Sequence, residues 1–360
     1  MITALIFLVI LVVLVLIHEF GHFIVAKKSG VLVEEFGFGF PPRIFGKKFG
    51  ETLYSINLIP LGGFVKLYGE EYHEGEKKRP DAKSIPKHRA FVNKSPLQKT
   101  MIITAGVVMN FILGWVILSF LFTQGVPTPA GVVVTSVQDN TPATEAGLLV
   151  GDRIISITQE NKTIEIVSSE DLIGSAKTFA DQPTILQIER TGKVFSVDIT
   201  PRSNPPKGEG SFGIVIEQKV ELVKHPWYTA PYFGFIEAAS MIKMIAVEIL
   251  KIPAQFFTKQ STSVEFTGPV GIAKIIGEAR KFGIVALLQI TAVLSLNLAV
   301  INILPFPALD GGRQVFIFYE WITGKKTNQN LEHYLNLAGI ILLLTLSAVI
   351  TIFDIQKYWG

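Results

Sequence analysis

Residues 2–28 read ITALIFLVILVVLVLIHEFGHFIVAKK: an apolar run to residue 26 whose only titratable side chains are His18, Glu19 and His22, closed by Lys27 and Lys28. About 20 mostly apolar residues cross the hydrocarbon core of a bilayer, so this stretch is long enough to span one. A secretory signal peptide fits it poorly, because no basic residue precedes the run and no small-residue cleavage site follows it. The composition of the whole chain points the same way. Of its 360 residues 49% are hydrophobic and only 18% charged, against about 25% charged in a soluble domain. A formal charge of +3 with 26 Phe leaves no basic stripe, so no nucleic-acid partner is expected. Without Cys there are no disulfides and no thiol catalysis, and any metal must be held by nitrogen and oxygen.

Further uncharged runs occupy 100–123, 282–309 and 334–353. The expected organisation is a span over 1–26, a loop over 27–98, a second span over 99–123, an external segment over 124–224 and an amphipathic connecting region over 225–281. A third span over 282–312, a loop over 313–333 and a fourth span over 334–353 complete it. Residues 27–99 hold 14 Lys and Arg against 8 Asp and Glu, whereas 124–224 hold 9 against 13. By the positive-inside rule the first loop is cytoplasmic, 124–224 lies outside, and both termini face outward. The basic stretch from Lys77 to Lys94 reads as a solvated loop.

Residues 124–224 are not membrane-like. Short β-branched runs at Gly131–Val137, Arg153–Ile157 and Ile185–Glu189 alternate with Pro, Gly and Asn turn signals, which predicts a small β-rich domain. Within it, Thr141-Pro-Ala-Thr-Glu-Ala-Gly-Leu-Leu-Val-Gly-Asp-Arg-Ile154 resembles the signature of bacterial PDZ domains, in a single copy.

His18-Glu-Phe-Gly-His22 carries the chemistry. On a helix, residues four apart are separated by about 40° around the axis, so both imidazoles point the same way and reach one metal ion. Glu19 can reach a water on that ion and take its proton, the division of labour of His-Glu-x-x-His metalloproteases. Each such group costs about 2.5 to 3.5 kcal/mol inside a membrane, and three stand together here. The same residues also read as a buried polar patch or an ion path.

Two imidazoles leave a catalytic zinc one protein ligand short. In Asn302-Ile-Leu-Pro-Phe-Pro-Ala-Leu-Asp-Gly-Gly312, Asp310 is the only acid between Glu278 and Glu320. Pro305 and Pro307 break the helix within or near the membrane, which is tolerated only where protein or a water-filled cavity covers the break. His18, nine residues before Lys27, and Asp310, just before Arg313, both fall toward the cytoplasmic side. Asp310 also reads as the N-cap of a following helix, with Gly311 and Gly312 as turn residues.

The two motifs together resemble the paired signature of the site-2 protease family of intramembrane zinc metalloproteases, in its bacterial, sigma-factor-regulating branch. Phe36-Gly-Phe-Gly-Phe-Pro41, Pro60-Leu-Gly-Gly-Phe-Val-Lys66, Ala105-Gly106 with Asn110-Phe111, and Thr267-Gly-Pro-Val-Gly-Ile272 extend the likeness over nearly the whole chain. The resemblance implies an α-helical polytopic membrane protein with four transmembrane helices, an inserted β-rich PDZ domain and a cytoplasmic membrane-associated β-hairpin. It implies Zn2+ held by His18, His22 and Asp310, Glu19 as general base, and Asn302 as the residue that holds the substrate backbone. Asn302 also reads as a buried helix–helix hydrogen bond. Single-span membrane proteins such as anti-sigma factors, and remnant signal peptides, are the implied substrates in a bacterial cytoplasmic membrane. A divalent-metal transporter and a catalytically silent scaffold are the rival readings. Transport calls for polar residues across the whole bilayer, but these cluster at one depth.

Overall fold

The computed structural model describes residues 2–70, 86–160, 162–206, 208–258 and 267–359, so residues 77–85 of the expected basic loop and residues 259–266 of the connecting region lie outside the described residues. The chain divides into two compact units, Met1–Thr123 with Pro226–Gly360, and Gln124–His225.

In the first unit, helix α1 runs over Ile2–Lys28 and α2 over Pro96–Gln124. Lys27 and Lys28 in the last turn of α1 complement the carbonyl end of the helix. Pro96 opens α2, and just before it Ser95 and Gln98 cap each other reciprocally. Farther on come α5 over Ala230–Thr258, α6 over Pro269–Lys281, α7 over Ile284–Ile303, α8 over Asp310–Thr323 and α9 over Gln329–Trp359, with α3 and α4 in the second unit. Four of these helices, α1, α2, α7 and α9, are long and apolar enough to cross a membrane. The 20 residues of α7 extend about 30 Å, the thickness of the hydrocarbon core. Large apolar side chains such as Leu5, Val9, Val116, Phe120, Leu342 and Leu344 stand exposed on the other three, a surface suited to lipid.

The helices pack through Ile10 and Leu14 of α1 against Ile276 of α6, joined by Leu287 and Leu294 of α7. The connecting region holds α5 and α6. Helix α5 lies on α2, where Trp115 Nε1 donates to the Pro231 carbonyl at 2.8 Å and Phe235 meets Phe111 and Trp115 edge-on.

The third span departs from one continuous element. Helix α7 stops at Ile303, Leu304 is extended as the residue before a proline must be, and a new helix begins at Asp310. The stretch 313–333 is therefore not all loop: α8 continues through Thr323 before the chain turns into α9.

Strands β1 (Val33–Phe49) and β2 (Thr52–Leu67) form an antiparallel pair that folds back on itself. The segment Glu35–Phe38 is flanked on both sides by β2, with Lys66 to Gly63 along one edge and Leu53 to Ile56 along the other. Among the described residues Gly63 to Leu67 thus pairs with a strand on one side only, leaving a row of backbone groups at a sheet edge.

The second unit is a six-stranded antiparallel sheet in the order β7-β6-β4-β3-β8, with β5 paired to β4. Its strands are β3 Val126–Val137, β4 Arg153–Gln159, β5 Lys162–Glu165, β6 Thr184–Arg190, β7 Lys193–Ile199 and β8 Ile214–Val223. The three expected runs lie within β3, β4 and β6. Helix α3 (Pro142–Glu145) is capped by Thr141, and α4 (Ser169–Thr178) by a capping box of Ser168 and Asp171. The alternating residues Val132, Val134, Ile154, Leu186 and Ile188 close the core with Leu172 and Phe179.

Candidate metal centre

Helix α1 carries His18, Glu19 and His22, and the four-residue spacing brings the two imidazoles together edge to face, with Nε2 atoms 3.2 Å apart. Asp310, at the start of α8, reaches them from the far end of the chain. Its Oδ2 lies 3.1 Å from His18 Nε2 and 3.3 Å from His22 Nε2. One donor atom from each residue falls within 4.8 Å of the others, the one such group of His, Asp and Glu among the described residues.

Asp310 does not cap α8. Leu309 holds the N-cap position without a side-chain bond, and the Asp310 carboxylate turns toward the imidazoles instead. The hydrogen-bond pattern shows what these atoms are prepared for. His22 Nδ1 lies 2.8 Å from the Ile102 carbonyl, which can only accept, so the ring hydrogen sits on Nδ1 and Nε2 offers a lone pair. Asp310 Oδ2 is buried with no hydrogen-bond donor. Lone pairs converging on one small space repel one another unless a cation lies among them. Two imidazole nitrogens and a carboxylate oxygen are the ligand types that suit zinc, so the residues fit the metal.

Two glycines let backbone approach this cluster. A Cβ at Gly106 of α2 would fall 2.7 Å from both His18 Cε1 and His22 Cε1, so only glycine lets α2 lie flat against the rings. A Cβ at Gly63 of β2 would fall 3.0 Å from Glu19 Cγ and 2.8 Å from Val15 Cγ1, so the free-edged strand passes directly beside Glu19. Asn302, near the end of α7, lines a small cavity with Asp310, between Ile103 and Thr104 of α2 and Gln314 of α8. It is not in the imidazole cluster. Its amide has no hydrogen-bond partner among the described residues.

Sequence reasoning assigned no role to Asn110, whose amide nitrogen stands 3.2 Å from His18 Nδ1. Its signal was a single amide side chain amid the apolar residues of the second span. The ion pairs Lys99 with Glu320, 2.6 Å apart and largely buried, and Arg313 with Glu70 were also missed; they join α2 and the segment after β2 to α8.

Residues 6–346 match peptidase family M50. Among curated proteins the chain is similar to the zinc metalloprotease RasP of Bacillus licheniformis, at 31% identity over 99% of each chain. It is similar to the regulator of sigma-W protease RasP of Bacillus subtilis, at 31% identity over 99% of this chain and 98% of that one. The zinc metalloprotease RasP of Geobacillus kaustophilus is 30% identical over 98% and 97% of the two chains. With its paired motifs drawn together in space and the match running over nearly its full length, the chain belongs to peptidase family M50, the site-2 protease family.

Proposed function

We propose that the protein is a zinc-dependent intramembrane endopeptidase that cleaves single-span membrane proteins within or near their membrane segment, after a first extracytoplasmic cut. One observation carries the reading. Asp310 of α8 converges with two imidazoles that stand, together with a second carboxylate, Glu19, in a helix long enough to span a bilayer. Ionisable groups there are expensive and are by default functional.

The cofactor is Zn2+, held by His18, His22 and Asp310. When bound, zinc supplies Lewis acidity toward a peptide carbonyl and an attacking water. Glu19 takes the proton of that water on its carboxylate and returns it to the departing amide nitrogen. A helical substrate hides its carbonyls in its own hydrogen bonds, so the segment to be cut must be extended first. The free edge of β2, passing beside Glu19 at Gly63, suits pairing with such an extended segment. Asn302, unpaired and close to Asp310, holds the substrate backbone through its amide. Ile44, Phe45, Ile56 and Leu58 stand exposed on the β1–β2 pair, which supports its dipping into the lipid bilayer.

Residues 124–224 form a PDZ-type domain outside the membrane that screens substrates, and both termini lie on the same side. The protein sits in the cytoplasmic membrane of a bacterium. The name of the Bacillus subtilis relative, a regulator of a sigma factor, favours anti-sigma factors as substrates. Remnant signal peptides are a second single-span class.

The test uses the full chain in detergent with a trimmed single-span substrate and a zinc assay. Wild type cleaves. Glu19→Gln keeps its zinc and slows about 10²- to 10⁴-fold, and Asp310→Ala loses zinc and cleavage together. Loss of zinc in Glu19→Gln rejects the base assignment, and cleavage by Asp310→Ala rejects the centre.

A further inference from the structure

We infer that Asn110 sets the tautomer of His18: its side-chain oxygen accepts the Nδ1 hydrogen of that ring and so keeps Nε2 bare toward the metal position. The inference rests on the reading of His18, His22 and Asp310 as a metal centre, and it makes Asn110 a positioning residue of that centre.

The two imidazoles face the same requirement. Each directs Nε2 toward Asp310 and the metal position between them; to bind a metal there each ring must carry its hydrogen on Nδ1, and each buried N–H then needs an acceptor. For His22 the acceptor is the Ile102 carbonyl at 2.8 Å. For His18 the group in place is the Asn110 amide, whose nitrogen stands 3.2 Å from Nδ1. Asn110 is fully buried, and its side-chain oxygen has no hydrogen-bond partner. The amide keeps its shape when turned by half a rotation about its last bond. Its oxygen then meets the His18 ring and gains the hydrogen bond it lacks.

The surroundings hold Asn110 at this spot. Ser295 of α7, itself fully buried, donates from Oγ to the Asn110 backbone carbonyl at 2.7 Å and ties α2 to α7 at the level of the ring. One turn earlier, Gly106 carries nothing that would lift α2 off the imidazoles. A single face of α2 thus supplies both ring hydrogens with acceptors, Ile102 for His22 and Asn110 for His18. Partners of this kind orient metal-ligating histidines, and their loss weakens binding about 10- to 100-fold.

The test is a zinc titration of the metal-stripped, full-length protein in detergent against a chromophoric chelator, with cobalt spectra of the same samples. Asn110→Leu has a similar size and no acceptor; it should bind Zn2+ about 10- to 100-fold more weakly and show altered cobalt d–d bands. Asn110→Asp accepts but has no amide N–H to donate, and it should bind as wild type does. Unchanged affinity in Asn110→Leu overturns the inference. So does an Asn110→Asp variant as weak as Asn110→Leu, since packing or the amide N–H would then be what matters. Where Asn110→Leu does not accumulate, Asn110→Asp decides alone, and a tenfold loss in it overturns the inference. A wild-type chain that binds no zinc rejects the metal centre itself, an outcome distinct from tight wild-type binding with an indifferent Asn110.

Discussion

Asp152 in the β-rich unit and Asp310 in the helical unit are both aspartates withdrawn from water, and the protein treats them in opposite ways. The side chain of Asp152 is fully buried, and every demand it makes is met. Arg190 donates to it from Nε at 2.6 Å and Nη2 at 2.7 Å, and the Leu149 N–H adds a third bond at 2.8 Å. Burial alone would raise its pKa, and the Arg190 and Leu149 hydrogen bonds outweigh burial and hold the carboxyl below its ordinary value. Asp310 faces two imidazole nitrogens and leaves Oδ2 without a donor, the one buried carboxylate oxygen in that condition among the described residues. Asp354 of α9 shows that this is not a habit of the helical unit. Its Oδ2 accepts from the backbone N–H groups of Gly268 and Gly271 at 3.0 and 2.8 Å, pinning the start of α6. A carboxylate saturated by the fold is part of the fold, and a buried one left without a donor calls for an explanation, which the proposed metal centre supplies.

The largest effect that tests this contrast is expected at Asp310. Asp310→Asn should drop cleavage and bound zinc to background, while the chelator-treated protein melts at or above the wild-type temperature because a crowded anionic oxygen is gone. A thermal scan beside a zinc assay checks both halves, and a clear fall in melting temperature would erase the distinction.

The converse change is Asp152→Ala, which strands the Leu149 N–H and should cost about 1.5 to 3 kcal/mol. Zinc content and cleavage of a trimmed substrate should hold at wild-type levels. Denaturant titration of the full chain, followed by a probe in the 124–225 unit, reads the cost; no change in midpoint would mean that Asp152 is not the saturated group described above.

The smallest effect is one of pH. A group whose folded pKa lies below its unfolded one contributes stability above the unfolded value and loses it as pH falls through the folded value. The ordinary value of Asp152 is 3.8, so the β-rich unit should weaken as pH drops from about 5 toward 3. Asp171, lowered by the Ser168 backbone N–H and hydroxyl, adds in the same direction. Asp152→Ala should flatten the slope in melts across that range without removing it, and an unaltered slope would assign the acid sensitivity elsewhere.

Much of the architecture was legible because the signals were local. Run length alone marked the four helices that can cross a membrane, and alternation with turn residues marked the strands at 131–137, 153–157 and 185–189. Spacing alone put His18 and His22 on one face. The doubled pairing of Glu35–Phe38 was not legible, since a strand gives no sign of having a partner on each side. Nor was the extent of α8, because reading Asp310 as a capping residue marks where a helix begins but not that it runs on to Thr323.

The sequence by itself determined which segments can enter a membrane, which one forms a β-rich unit, and which residues of one helix share a face, because periodicity and run length are properties of neighbouring residues. Only the tertiary structure decided that Asp310 stands with an unsatisfied oxygen against His18 and His22, that Gly63 brings a free strand edge beside Glu19, and that the Asn110 amide meets the His18 ring. These are meetings between segments far apart in the chain. They are set by how helices pack and which small residues let backbones approach, and no local pattern of sequence encodes them.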